Sequence, residues 1–307
     1  MTYDKLVLVT RKTRLQQLIA RFNSRGQAKF YIEHAGGDFA DYQHEDDAYA
    51  RALEVLHRAF GQGLKVHTID REIVPTFLFA PSDIVVAVGQ DGLVANVAKY
   101  VGAQPVIAVN PDPRRFDGIL LPFAPHQVGA AIGRVVAGTA RLRSITLAEA
   151  RLADGQRLLG FNDLFVGARS HISARYTLRA AAATETQSSS GVLISTGAGS
   201  TGWLSSMFNM AAGLASFTGG VAGAPMHLGW EDPRLVFVVR EPFASKHSAS
   251  SLVAGVVGPG ESLELASLMP SDGVIFSDGV EADALAFNSG AVVRIGAAAQ
   301  RTRLVVA

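Results

Sequence analysis

Asp83-Ile84-Val85-Val86-Ala87-Val88-Gly89-Gln90-Asp91-Gly92-Leu93-Val94-Ala95-Asn96-Val97-Ala98 decides how this chain folds. Ile84 to Val88 is an apolar, largely β-branched run, the composition of a strand covered on both faces in a parallel α/β sheet. Gly89-Gln90-Asp91-Gly92 interrupts it, and Leu93 to Tyr100 has helical composition. Strand, glycine turn and helix in that order bring backbone N–H groups and a helix N-terminus to one point, a layout that receives phosphate. An aspartate in such a turn repels phosphate unless a metal or a substrate hydroxyl lies between them. Asp91 is therefore either a turn residue, Asp-Gly being a common turn pair, or the chemical residue of a site.

Working outward, Lys5–Thr10 reads as a buried strand and Arg11–Asn23 as a helix with Leu15, Leu18, Ile19 and Phe22 at helical spacing. Residues 36–47 read as a polar loop, 46–60 as a second helix, Lys65–Ile69 as a strand and Pro105–Asn110 as another buried strand. Strands alternating with helices make residues 1–125 an α/β layer domain with a parallel sheet, carrying the Gly-Gln-Asp-Gly turn. Asn110-Pro111-Asp112-Pro113 must be a loop, because two prolines deny it helix or ladder. It leaves the carboxyl end of a strand neighbouring that of Asp91, the edge where open α/β sheets bind ligands. The plainer reading is a connector.

Composition changes near Ala124-Pro125. Residues 126–139 read as a helix leading into a second domain, 126–307, mostly antiparallel β. Its expected strands are 141–152, 158–166, 174–181, 191–195, 235–239, 262–265, 274–276, 281–286 and 292–295. Ala153-Asp154-Gly155 signals a hairpin, and residues 180–190, small and polar, read as a mobile hairpin tip. Two features stand out. Ile194-Ser195-Thr196-Gly197-Ala198-Gly199-Ser200-Thr201-Gly202-Trp203-Leu204-Ser205-Ser206 reads as a strand end, a glycine-rich turn and a helix capped by Ser200 or Thr201. Asn162-Asp163 places two polar residues inside an apolar run, where they need partners or mark a bulge. Arg240, before Glu241-Pro242, either faces a ligand phosphate or pairs with Glu241.

Composition excludes several classes. In 307 residues with 48% hydrophobic and 18% charged content, two cores are expected. A net charge of +1 without a basic block does not favour nucleic acid. The absence of cysteine removes disulfides, thiolate nucleophiles and Cys-ligated zinc. The eight histidines lack zinc-site spacing, and Ser195 and Ser200 lack a nucleophile-elbow pattern. No apolar run is long enough for a membrane span, and Met1-Thr2-Tyr3-Asp4-Lys5 has no signal-peptide layout, so a cytoplasmic protein is expected.

The three features resemble, in this order, the motifs of the NAD kinase family. Gly89-Gln90-Asp91-Gly92 is similar to its Gly-Gly-Asp-Gly, Asn162-Asp163 to its Asn-Glu, and Ser195–Trp203 to its Ser-Thr-Pro-Thr-Gly-Ser-Thr-Ala-Tyr segment. Val109–Arg115, Phe161–Gly167 and Val239–Pro242 look closest to the mitochondrial-type branch. The resemblance implies an α/β domain followed by a β-rich, NAD-binding domain, and ATP-dependent phosphorylation of the adenosine-ribose 2′-hydroxyl of NAD to give NADP. It implies Asp91 as general base and Gly89, Gln90 and Gly92 beside the donor phosphates, with Mg²⁺ offsetting charge. Asn162 and Asp163 would hold the ribose and diphosphate. Thr201, Gly202, Trp203 and Ser206 would hold an adenine, and Asn110 would lie near Asp91. It further implies a homodimer or homotetramer, with no protein-held metal. Gln90 replaces a glycine, which would disfavour it by roughly 1 kcal/mol or more if that position required positive φ. Asp163 is one methylene shorter than Glu, and Ala198 removes a hydroxyl. Two alternatives follow: a kinase of the same superfamily acting on a lipid or another hydroxyl, and a non-catalytic nucleotide-binding protein whose donor site Gln90 has altered.

Overall fold

In the first part of the chain β1 (Lys5–Thr10), β2 (Lys65–Asp70), β3 (Asp83–Val88) and β4 (Pro105–Val109) pair in parallel in the order β2-β1-β3-β4. Every residue of β3 and β4 is buried, the outcome that their valine-rich runs anticipate for a sheet covered on both faces. The structure, a computed structural model, describes residues 2–60 and 63–307. It divides into two compact units, Met1–Arg143 with Arg303–Ala307, and Ser144–Thr302.

The first unit's helices are α1 (Arg14–Phe22), α2 (Arg25–His34), α3 (Phe39–Ala59), α4 (Asp91–Ala98) and α5 (Val128–Val136). Tyr49, Leu56 and Phe60 from the α3 region and Val128, Ile132 and Val135 from α5 join Leu6, Leu8, Ile84, Val86, Ile107 and Val109 in one core. The α5 face belongs to this core, so the units part at Arg143/Ser144 and not at the 125/126 change in composition. Two further sequence expectations give way. The loop expected over 36–47 extends only to residue 38: Asp38 caps α3, its Oδ1 accepting the Ala40 N–H at 2.8 Å, and the helix starts at Phe39. The helix expected over 126–139 begins as a 3₁₀ turn, Pro125–Gln127. α2, which the sequence pattern left unassigned, is capped by Ser24.

The second unit contains most of β5 (Leu142–Leu152), β6 (Arg157–Gly160), β7 (Asp163–Ala168), β8 (Ala174–Ala180), β9 (Ala183–Ser189), β10 (Val192–Ser195), α6 (Trp203–Phe217), β11 (Leu235–Val239), β12 (Ala254–Val257), β13 (Leu263–Ser267), β14 (Gly273–Ser277), β15 (Val280–Ala286) and most of β16 (Val292–Val305). One antiparallel sheet runs β12-β11-β10-β7-β14-β15; the other layer has β16-β13-β8-β9, with β5 pairing β16 and β6. Leu164, Ile194, Phe237 and Ile275 from the first layer meet Tyr176, Leu178, Leu265 and Ile295 from the second in a shared core. β5 and β6 form the hairpin anticipated at Ala153-Asp154-Gly155, Gly155 supplying φ +92°. The hairpin tip expected over 180–190 is confined to residues 181–182: β9 pairs in register with β8 along its whole length. Its buried polar residues are satisfied, the Tyr176 hydroxyl meeting Gln187 Oε1 at 3.1 Å and Ser189 Oγ at 2.7 Å. The single strand expected over 158–166 breaks at Phe161-Asn162 into β6 and β7.

Candidate functional site

In the first unit the turn after β3 is tied to the neighbouring strand, the Gly89 N–H donating to Val109 O at 3.1 Å. A Cβ on Gly89 would lie 2.9 Å from Leu93 Cδ2 and 3.4 Å from Arg11 Nε, so close approach is what requires glycine here. Gln90 has φ −113° and ψ 166°, extended backbone open to any residue, and its side chain is exposed. The penalty that positive φ would have imposed on glutamine does not arise. Asp91 opens α4, where the helix dipole favours a carboxylate. Its Oδ1 accepts the Leu120 N–H at 2.7 Å. Gly92 is exposed, and nothing lies within 4 Å of a Cβ built there.

Asn110, at the end of the adjacent β4, is buried and its amide is occupied. Nδ2 donates to Phe116 O at 2.9 Å, and Oδ1 accepts the Asp112 N–H at 3.1 Å. Gly118, at φ +63°, passes so close that a Cβ would sit 2.5 Å from Asn110 Nδ2. Residues 111–123 are thus a shaped loop, held at one point by Asn110 and at another by Asp91. The unit therefore brings Gly89, Asp91 and Asn110 together, with Gln90 and Gly92 exposed beside them.

The sequence pattern missed a chain of charges next to this turn. Arg11 is 8% exposed; its Nη2 donates to Glu45 Oε1 at 3.0 Å and its backbone N–H to the Tyr49 hydroxyl at 2.9 Å. Tyr49 in turn donates to Val88 O at 3.1 Å, and burial raises the Tyr49 pKa to about 12. Arg14 bridges Glu45 and Asp41, at 2.5 and 2.9 Å, and Arg115 of the loop pairs with Asp41 at 2.6 Å. Burial works against the Glu45 carboxylate, but its hydrogen bonds from Arg14 and Arg11 outweigh it and its pKa lies below the ordinary value. Asp41 is held well below the carboxylate range by its hydrogen bonds from Arg115 and Arg14.

In the second unit Asn162 and Asp163 sit where β7 begins beside β10 and β14. The glycine-rich turn is built onto them. Thr196 Oγ1 donates to Phe161 O at 2.6 Å, and the Thr196 N–H to Asn162 O at 2.9 Å. A Cβ on Gly199 would lie 2.2 Å from Asn162 O, and one on Gly197 1.8 Å from Gly229 O. The anticipated cap is absent: Gly202 occupies the N-cap of α6 without a side-chain bond, and buried Ser200 accepts the Leu228 N–H at 3.2 Å. Thr201, Gly202 and Ser206 are exposed at the helix start. Half-buried Trp203 stacks on Phe165, centroids 5.6 Å apart at 15°, and Arg240 lies over both rings at 5.2 and 5.8 Å. Arg240 also pairs with Glu241 at 3.6 Å.

Asp278 is the residue that sequence reasoning missed here. Its carboxylate accepts the N–H groups of Phe161 at 2.9 Å, Asn162 at 2.6 Å and Asp163 at 3.3 Å, while the Asp278 N–H donates to Asp163 O at 3.1 Å. The Asp163 carboxyl is 6% exposed, and burial together with the Asp278 charge raises its pKa to about 7. The site thus holds one carboxylate fixed by a nest of backbone donors and a second poised near neutrality.

Among the described residues no three His, Asp or Glu side chains group as a metal cage, and no helix is long and apolar enough to cross a membrane. No protein-family model matches the sequence, and no curated protein does. Solved structures do. A yeast NADH kinase in complex with NADH aligns at a TM-score of 0.59 and 16% identity, over 100% of this chain and 84% of that one. An NAD kinase from Archaeoglobus fulgidus in complex with ATP aligns at 0.55 and 16%, over 98% of this chain and 93% of the other. At that identity the likeness establishes architecture, and the architecture is that of an NAD kinase-like fold.

Proposed function

We propose that this chain transfers the γ-phosphoryl group of ATP to the 2′-hydroxyl of the adenosine ribose of NAD, giving NADP. The observation that carries the reading is Asp91 itself. It is a carboxylate at the first turn of α4, directly after a glycine turn, oriented through Oδ1 by the Leu120 N–H. One oxygen is fixed and the other is left to take a proton. A ribose hydroxyl is a poor nucleophile, and a carboxylate in reach accepts its proton as the bond to phosphorus forms. The N–H groups at the start of α4 receive donor phosphates, and the extended backbone of Gln90 leaves them accessible. Asn162 and Asp163 hold the ribose and diphosphate of NAD, and Thr201, Gly202, Trp203 and Ser206 the adenine. Mg²⁺ would arrive with the nucleotide and, when bound, offset the charge on the transferring phosphoryl group. The motif details support a member of the mitochondrial-type branch, and the same resemblance supports a homodimer or homotetramer; the cytoplasm is the location the sequence leads one to expect.

The test is NADP formation by the purified protein from NAD, Mg²⁺ and ATP, or polyphosphate in its place. NADP that vanishes in Asp91→Asn supports the reading. No NADP with NAD still bound would leave nucleotide binding without transfer, and phosphorylation of a lipid alcohol instead would move the chain to the lipid-kinase side of the superfamily.

A further inference from the structure

We infer that the first unit carries a separate anion site, a cavity of about 490 Å³ on the outer side of α3, which takes a phosphate-bearing small molecule. One wall is a single face of α3, with His44, Ala48, Arg51, Ala52 and Val55 following one another at helical spacing. The other is Pro111, Asp112, Arg114, Pro125 and His126. Two guanidinium groups and two imidazoles thus surround a cavity with one carboxylate. That carboxylate is engaged, Asp112 Oδ1 accepting the Arg114 N–H at 3.3 Å.

Neighbouring arginines show the contrast. Arg11, Arg14 and Arg115 each face Glu45 or Asp41. Arg51 and Arg114 have no carboxylate partner among the described residues, although both line a concavity that could have held one. Two planar guanidinium groups lining one cavity without carboxylate partners suit the oxygens of a phosphate. Ala48, Ala52, Val55 and the two prolines give the remaining wall an apolar character that fits the body of a small phosphorylated metabolite, and the volume is in the range of small-molecule sites. None of these side chains belongs to the Gly89–Gly92 turn. Occupancy would bridge α3 to the loop that Asp91 and Asn110 hold at Leu120 and Phe116, so the ligand would stiffen that loop.

The inference does not depend on the kinase reading, since its test reads binding alone. The full chain is titrated with inorganic phosphate by calorimetry, alongside the double variant Arg51→Gln/Arg114→Gln and, as a charge-matched control in the second unit, Arg179→Gln/Arg294→Gln. All four arginines are exposed, so folding is not at issue. Expected is a saturable site, weakened at least tenfold in the first double variant, sensitive to salt, and retained in the control. No saturable binding by the unaltered chain, binding untouched by loss of Arg51 and Arg114, or equal weakening in the control would overturn the inference.

Discussion

The turns around Asp91 and Asp163 use the same residue in opposite surroundings. Asp91 is partly exposed at a helix N-terminus, with one oxygen on a backbone donor. Asp163 is buried among strands and faces a second carboxylate, that of Asp278, which already takes the local N–H groups. The first environment keeps a carboxylate oriented and accessible; the second makes ionisation costly. Position, and not residue type, separates a candidate base from a candidate ligand-binding acid whose state depends on pH.

Substituting each aspartate in turn separates the two roles kinetically. Asp91→Asn should lower kcat by about 10²–10⁴ with NAD affinity retained, whereas Asp163→Asn should weaken NAD binding more than turnover. Steady-state kinetics with calorimetry separates the two.

The next effect is on pH. The Asp163 pKa is raised from 3.8 to about 7, so the folded state prefers the protonated form. Its contribution is complete below about pH 4 and is lost as pH rises through about 7. The shift corresponds to roughly 4 kcal/mol, read as an order of magnitude. Chemical denaturation between pH 4 and 8 should show this decline, and Asp163→Asn should flatten it. NAD affinity should rise over the same interval, because an ionised Asp163 accepts ribose hydroxyls better.

Glycine substitutions sharpen the contrast further. Gly199→Ala forces a Cβ to 2.2 Å from Asn162 O and should cost about 1–3 kcal/mol or more. Gly92→Ala meets no atom within 4 Å and should stay within about 0.5 kcal/mol. Thermal melts decide. The smallest effect is that of Arg115→Gln, which opens the partly exposed pair with Asp41 and should cost under about 1 kcal/mol while raising KM for the donor.

The sequence revealed what apolar periodicity and glycine turns encode. β3 and β4 were legible because Ile84–Val88 and Val106–Val109 are continuous apolar runs, and the turn at Gly155 because only a few residue pairs make it. Elements stabilised by polar partners far away in sequence were not. The start of α3 looked like a loop because Asp41 and Glu45 are charged, yet those charges are what Arg14, Arg11 and Arg115 bind. β9 looked mobile because Gln187 and Ser189 are polar, yet Tyr176 and Leu252 satisfy them. Asp278 was invisible because its partners lie 115 to 117 positions earlier. At the site, Asp91 and Asn162-Asp163 were legible as motifs; the residues that orient them were not.

The proposed kinase stands or falls on Asp91 taking the proton of a ribose hydroxyl during phosphoryl transfer. Single-turnover formation of NADP from NAD and Mg²⁺–ATP, measured side by side for the unaltered chain and Asp91→Asn, tests it most directly. Expected is NADP from the former and a drop of at least a hundredfold in the latter with NAD still bound. NADP formed at equal rates by both, or by neither, would contradict it.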